Sequence, residues 1–232
     1  MTTEFNSFDA SPMGAFVASQ FGDARNRPRG DKVLLWLIDS GFYADIYFGL
    51  VGIYDREGIV AHVEAPGRAQ EWTGNLSDYR LVIWPIATRN PIWFAQIPGW
   101  AGRIVITAEY SRAGDRQFDG SIDYVNALGV VTGITLNHDV YNESVPAAGP
   151  ILLHPLTNGI QTIFYAATST IASGGRLLAR TISGPGFLAA NRLAAIDWVV
   201  SGDSNPFASQ PSTGDLAGLN SRFLLNLYAV PI

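Results

Sequence analysis

Four apolar runs in this chain are each followed by a short cluster of polar residues. They are 33–38 before Asp39-Ser40-Gly41, 81–86 before Thr88-Arg89-Asn90, 104–107 before Glu109-Tyr110-Ser111, and 193–200 before Ser201-Gly202-Asp203-Ser204-Asn205. Continuous apolar runs of this length are typical of strands covered on both faces. Ligands of parallel α/β sheets bind in the crevice at the carboxyl ends of the strands. The pattern therefore predicts a candidate site where these polar clusters meet.

Helical patterns alternate with strands in the first half of the chain. Apolar residues at helical spacing end at Gly58, Asn90-Pro91 has the form of a helix start, and Gly129 closes a short apolar segment. This β-α-β-α alternation predicts an α/β fold, a three-layer sandwich with a mainly parallel, flavodoxin-like central sheet. The predicted segments are helices at 44–57, from Asn90 to before Pro98-Gly99, and at 121–128, with strands at 59–63, 79–84 and 103–107.

The pattern changes after about residue 130, where short apolar runs are separated by Gly, Pro, Ser and Asn. Such runs predict a β-rich extension or sheet edge. A core strand at 193–200 and a closing helix at 215–228 follow. The short runs are 134–137, 163–165, 176–182 and 187–190.

Residues 1–31 differ in composition from the rest, so we predict two units: an N-terminal arm and linker over 1–31, and an α/β domain over 32–232. The arm carries Phe5, Phe8, Phe16 and Phe21 among small and polar residues. Two interpretations stay open, because the arm could pack on its own domain or grip a neighbouring subunit.

Composition and charge restrict the partners. Of 232 residues, 47% are hydrophobic and only 15% charged, and the net charge is −5. A low-charge surface favours burial against protein partners, so we expect a homo-oligomer or a larger assembly. Nucleic-acid binding needs a positive face, which the charge does not favour. No apolar run approaches the ~20 residues that cross a bilayer, and no signal-peptide layout is present, so we expect a soluble protein without a membrane partner.

Several segments together resemble a known family. They are KVLLWLIDSG, LSDYRLVIWP, RIVITAEYS, His154-Pro155-Leu156 with Asn158-Gly159, and SGDSNPF followed by LNSRFLLNL. Over residues 32–228 these are similar to the class I glutamine amidotransferase-like superfold, in its non-amidotransferase branch with the ThuA-like domains. Working amidotransferases carry a cysteine on the turn after a central strand. The corresponding turn here is Ala108-Glu109-Tyr110-Ser111, and the chain has no cysteine. The resemblance thus implies the architecture without the amidotransferase reaction.

The catalytic candidates are Asp39, Glu109, Ser111 and Asp203. The three acids could converge at the crevice to bind a hard cation or to work as acid and base. Alternatively, Asp39 and Asp203 cap turns through backbone amides. A serine nucleophile would need a base, for which His138 beside Asp139 is the best candidate, but the G-x-S-x-G elbow is missing.

The ligand-binding candidates at the same strand ends are Ser40, Arg89, Tyr110 and Asn205. Arg89 could hold an anion or pair with a nearby carboxylate. The interface candidates are the four arm phenylalanines together with Trp93 and Trp100, which could be exposed, as an interface or a sugar-stacking platform, or could belong to the core. The histidines lack metal-site spacing and no phosphate-binding loop is present, so we expect neither a metal nor a cofactor.

These observations lead to two functional hypotheses. The first is a non-catalytic structural or interaction subunit of a larger assembly, such as a phage or virus particle, with a virion as its location. The alternative is a hydrolase or carbohydrate-binding protein that uses the acidic strand-end crevice, with carbohydrate as its ligand.

Overall fold

The computed structural model describes residues 30–66, 72–109, 120–193, 195–209 and 215–231, and the statements below concern these residues. The chain is a mixed α/β protein with a seven-stranded sheet and two two-stranded sheets. The strands are β1 Lys32–Trp36, β2 Ala61–Glu64, β3 Tyr79–Trp84, β4 Arg103–Thr107, β5 Thr135–Leu136, β6 Tyr141–Pro150, β7 Thr162–Thr168, β8 Ile171–Ser173, β9 Arg176–Arg180, β10 Gly186–Leu193 and β11 Ile196–Ser201.

The helices are short. The α-helices are α1 Gly49–Asp55, α2 Ser121–Ala127, α3 Gly129–Thr132, α4 Leu216–Leu219 and α5 Ser221–Ala229. The 3₁₀ helices are Ile38–Tyr47, Leu76–Asp78, Ile92–Gly99, Pro155–Thr157 and Asn205–Phe207.

The large sheet has the strand order β2-β1-β3-β4-β11-β10-β9. The five strands from β2 to β11 pair in parallel, and β10 and β9 add antiparallel pairs at one side. The prediction of a mainly parallel sheet is therefore confirmed. Because β1, β3, β4 and β11 are parallel neighbours, the polar clusters that follow them lie at the same edge.

Each face of the sheet packs against its own group of buried side chains. Alternate residues of β1, Val33 and Leu35 on one face and Leu34 and Trp36 on the other, belong to different clusters. One cluster includes side chains from α1 and α5, and the other includes tryptophans and side chains from α2. This two-sided burial explains why the centres of the core strands are continuous apolar runs rather than alternating ones.

Three predicted helices differ from the structure, one of them the closing helix at 215–228, which is divided into α4 and α5 at Asn220. The segment 44–57 is divided between the 3₁₀ helix Ile38–Tyr47, kinked at Gly41 with φ 55°, and α1. The segment after Asn90 is a 3₁₀ helix with Pro98 inside it. Proline has no N–H to donate and clashes with the preceding turn, which disfavours a regular α-helix there.

The second half of the chain is richer in strands than its pattern indicates. β6 and β7 form an antiparallel pair, and so do β5 and β8. The pattern does not predict β6, whose sequence contains two prolines, and its pairing shifts register between Asn142 and Ala147. Prolines lower the strand signal of a sequence because they cannot donate to a ladder.

Within the described ranges, no helix is both long and apolar enough to cross a membrane. The predicted arm lies outside the described residues except for its last two positions, so Phe5, Phe8, Phe16 and Phe21 stay predictions.

Candidate functional site

The residues that follow β4 and β11 form a hydrogen-bonded cluster at the carboxyl end of the sheet. The hydroxyl of Tyr47 donates to Ser204 Oγ at 2.7 Å, and Ser204 in turn donates to the Oε2 atom of Glu109. Tyr47 and Ser204 are buried, whereas Glu109 is half-buried. We call Tyr47, Glu109, Asp203 and Ser204 the carboxyl-end crevice. Its relay ends at the half-buried Glu109, which Ser204 holds through the Oε2 atom.

Asp203, the residue before Ser204, is bonded to the backbone rather than to the relay. Its two carboxyl oxygens accept from the backbone N–H groups of Ala166 and Asn205, both at 2.8 Å, and its side chain is buried. Burial raises the pKa of Asp203 to about 7, although the two backbone hydrogen bonds act in the opposite direction. The turn-capping alternative therefore describes Asp203 well, and its carboxyl group is protonated over much of the acidic range.

Tyr47 is a fixed hydrogen donor. Burial raises the pKa of its hydroxyl well above the ordinary value, and the negative charge of Glu109 raises it further. The hydroxyl consequently keeps its proton at every physiological pH. Hydrogen bonds are therefore donated in one direction, from Tyr47 to Ser204 and from Ser204 to the carboxylate of Glu109.

Asp39 belongs to a separate group beside the same edge. It accepts from Trp84 Nε1 at 2.7 Å and forms an ion pair with Arg89 at 2.9 Å. Burial raises the pKa of Asp39, and the two partners oppose that effect. The Asp39 side chain is 1% exposed and that of Arg89 is 70% exposed, so the guanidinium covers the carboxylate. Arg89 thus follows the carboxylate-pairing alternative.

Ser40 and Asn205, two of the predicted ligand-binding residues, also lie at the carboxyl end of the sheet. Ser40 is fully buried and donates to the carbonyl of Pro85, which makes it unsuitable as a ligand-binding residue. Asn205 is half-buried at the crevice and stays a candidate. Tyr110 and Ser111 lie outside the described residues.

The structure follows the core alternative for Trp93 and Trp100, so their assignment as interface residues is wrong. Both side chains are buried, Trp93 in edge-to-face contact with Trp36 and Trp84, and Trp100 donating to the carbonyl of Tyr79. Neither can stack on a sugar or reach a neighbouring subunit. Trp93 and Trp100 pack into the cluster that also holds Leu34, Val82 and Ile104 from the sheet.

A Ser–His–Asp arrangement is not formed by the described residues. His138 pairs with Asp123 at 3.0 Å, and both side chains are well exposed. Ser204 has Glu109 and Tyr47 as its partners instead. In the same ranges no group of three His, Cys, Asp or Glu residues could hold a metal ion.

One backbone feature marks the same edge. Ile86, just after β3, has φ 54°, and it is the only residue other than glycine with positive φ in the described ranges. Its N–H donates to Thr107 Oγ1 at 2.9 Å. A β-branched residue in this region is strained, and such strain is found preferentially at functional sites.

The sequence pattern does not indicate Tyr47. Tyr47 lies among apolar residues and fits the predicted helix there. No sequence motif relates it to Ser204, which lies 157 residues later in the chain. Only the polar cluster after β11 gives a signal, because it contains Ser204 and Asp203.

Comparison with known proteins supports a likeness in fold. Neither a family model nor a curated protein matches the sequence. Three solved structures are similar to the chain: the exo-beta-1,4-mannosidase Op5Man5 from Opitutaceae bacterium strain TAV5, a polyextremophilic beta-galactosidase from the Antarctic haloarchaeon Halorubrum lacusprofundi, and the GH42 beta-galactosidase Gan42B from G. stearothermophilus.

The similarity covers most of this chain but a minor part of each neighbour. In that order, the TM-scores are 0.55, 0.53 and 0.51 and the identities 10%, 12% and 12%. The chain is covered to 86%, 91% and 77%, and the neighbours to 36%, 32% and 28%. This chain therefore spans about a third of the length of these enzymes.

These comparisons correct three sequence-based expectations. The similar structures are glycoside hydrolases, which overturns the inferred relationship to the amidotransferase-like superfold. They also contradict the structural or virion subunit and the expectation that the protein is not an enzyme. The findings fit the alternative of a hydrolase or carbohydrate-binding protein better.

Proposed function

We propose that this chain is a carbohydrate-active unit of the glycoside hydrolase type and that the carboxyl-end crevice takes a sugar. The observation that carries the proposal is the hydrogen-bonded relay from buried Tyr47 through Ser204 to the half-buried Glu109, at the carboxyl end of the parallel strands. The likeness in fold to a mannosidase and to beta-galactosidases supports the choice of ligand class.

The chemistry of Glu109 suits a sugar. Sugar hydroxyls are hydrogen-bond donors, and an oriented carboxylate accepts from them with a strength greater than that of a neutral acceptor. An ionised carboxylate can accept several hydrogen bonds at once. Glu109 can therefore accept from a sugar hydroxyl while Ser204 donates to its Oε2 atom and keeps it oriented.

Hydrolysis of a glycoside ordinarily needs two carboxyl groups on either side of the scissile bond. Glu109 is our candidate for one of them. Burial raises the pKa of Asp203 to about 7, toward the range of a general acid, but the residue is fully buried and bound to backbone amides. We therefore assign Asp203 a positioning role and keep Glu109 as the residue that acts on the sugar.

We also infer a three-layer arrangement around the large sheet. The two separate buried clusters, one on each face, support it.

The direct test compares the wild-type chain with Glu109→Gln. Binding of methyl β-galactoside and methyl β-mannoside is followed by NMR titration, and hydrolysis by release of p-nitrophenol from the corresponding aryl glycosides. We expect binding to one of these sugars, with a loss of at least about tenfold in the variant, the effect of one charge-assisted hydrogen bond. Glu57→Gln makes the same chemical change on the exposed surface and should behave as wild type. Equal binding by all three proteins would contradict the proposal.

A further inference from the structure

A second concave site lies at the opposite end of the sheet. A cavity of about 690 Å³ is bordered by the start of β4 and of β11, the end of β10, the start of β9 and the turn at His154. This volume lies within the range of small-molecule pockets. We call it the amino-end cavity and define it by Arg103, His154, Arg176, Arg192 and Asp197.

The charged side chains of the amino-end cavity are mostly positive. Arg103, Arg176 and Arg192 line it together with one acid, Asp197. Asp197 pairs with Arg103 at 2.8 Å and lies 3.7 Å from Arg192. With one carboxylate opposite three guanidinium groups, the lining has an excess positive charge although the whole chain has a net charge of −5.

Arg103 is the buried centre of this arrangement. Its side chain is 1% exposed, and it donates to the carbonyls of Leu227 and Val230 as well as to Asp197. Its Nε is buried and has no hydrogen-bond partner among the described residues. A buried donor of a charged group without an acceptor is costly, so Arg103 contributes positive charge to the lining of the cavity rather than a donor that a ligand can reach.

Arg176 is the accessible member of the lining. It is exposed, its Nη2 donates to the carbonyl of Leu153 at 2.7 Å, and within the described ranges no carboxylate forms an ion pair with it. Gly174 and Gly175, with φ 79° and 66°, border the cavity beside Arg176. The field of these groups also reaches His154, whose pKa is lowered by burial and then by Arg176 and Arg103.

We propose that the amino-end cavity binds a small organic oxyanion, a carboxylate or phosphate on a molecule of monosaccharide size. Guanidinium groups bind carboxylates and phosphates alike through paired N–H donors. The class of ligand is therefore defined by its negative charge and by its size. This site is separate from the carboxyl-end crevice, and its ligand does not depend on the function proposed for Glu109.

The test uses three sugars that differ in charge: glucose, glucuronate and glucose 6-phosphate. Isothermal titration at low salt should detect binding of at least one charged sugar and none of glucose. The two charged probes separate a carboxylate site from a phosphate site. Binding of neither anion, or of glucose as well as the anions, would overturn the proposal.

Variants locate the binding in the cavity. Arg176→Gln should weaken the binding of the preferred anion by at least about tenfold, and Arg176→Lys should recover part of it. Arg56→Gln is the matched control, because Arg56 is also exposed and also donates to a backbone carbonyl, that of Gly52. An equal loss in both Gln variants would overturn the proposal, since it would assign the binding to general surface charge. Glu109→Gln should leave anion binding unchanged, which separates this outcome from the test of the sugar site.

Discussion

The two ends of the central sheet use polar side chains in different ways. At the carboxyl end, neutral hydroxyls connect buried Tyr47 and Ser204 to the half-buried carboxylate of Glu109. At the amino end, a buried guanidinium, Arg103, is fixed by Asp197 and two carbonyls. Hydroxyl groups can be buried at modest cost when they are hydrogen-bonded, whereas a buried charge requires a full set of partners. We therefore expect stability to depend mainly on the amino end, and the accessible chemistry to depend mainly on the carboxyl end.

The largest effect is expected for Arg103→Met. Removing the guanidinium leaves Asp197 and two carbonyls without their donor, so unfolding should become easier by about 3–5 kcal/mol. Urea unfolding followed by circular dichroism measures this change. Arg56→Met, on the exposed surface of the chain, is the control and should stay within about 0.5 kcal/mol of wild type. A loss below about 1 kcal/mol for Arg103→Met would remove the difference between the two ends.

The next effect concerns Asp203 and is pH-dependent. Its carboxyl group has a pKa of about 7 in the folded chain against an ordinary 3.8, so the folded state binds more protons between these values. The free energy of unfolding should therefore fall as the pH rises from about 4 to 7, by an amount on the order of a few kcal/mol.

Asp203→Asn isolates this contribution. An amide cannot accept from both Ala166 and Asn205, so the variant should be less stable by about 1–3 kcal/mol at pH 4–5. It has no carboxyl group to titrate at this position, so the stability difference from wild type should shrink as the pH approaches 8. Urea unfolding at several pH values measures both quantities. A difference that stays constant with pH would show that Asp203 has an ordinary pKa.

A smaller effect is expected for Tyr47→Phe. The loss of one buried hydrogen bond should cost about 0.5–1.5 kcal/mol and release Ser204 from its orientation toward Glu109. Tyr54→Phe is closely matched, because Tyr54 is also buried and donates to the carbonyl of Leu224 at 3.0 Å. Both variants should lose similar stability in thermal unfolding, but only Tyr47→Phe should weaken sugar binding at the crevice. An equal effect on binding would make the relay irrelevant to the site.

The smallest effect is expected for Arg192→Gln. Arg192 is 52% exposed and lies 3.7 Å from Asp197, so this ion pair is screened by solvent. Its removal should change the free energy of unfolding by less than about 1 kcal/mol, in contrast to Arg103 in the same cavity. Chemical denaturation resolves this difference, and a loss as large as that of Arg103→Met would contradict the assignment of stability to the buried member alone.

The sequence predicts parts of the fold well for physical reasons. β3 and β4 have the predicted bounds, because strands buried on both faces contain continuous apolar runs. The helix α2 is predicted almost to its ends by Gly129 and its apolar spacing. The helical spacing at 44–57 predicts a single helix, but the structure interrupts it between Tyr47 and Gly49. The sequence does not predict β6, because its prolines and polar residues give a weak strand signal. The strand is defined by its pairing with β7.

The polar residues that follow buried strands are a property of the sequence alone. Parallel pairing brings such residues to the same end of the sheet, and the adjacency of β4 and β11 places Glu109 beside Asp203 and Ser204. The tertiary structure alone decided which of these groups meet. It brought Tyr47 to Ser204 across 157 residues, covered Asp39 with Arg89, and buried Trp93 and Trp100. Side-chain partners of this kind depend on distances between elements, and local pattern carries no information about those distances.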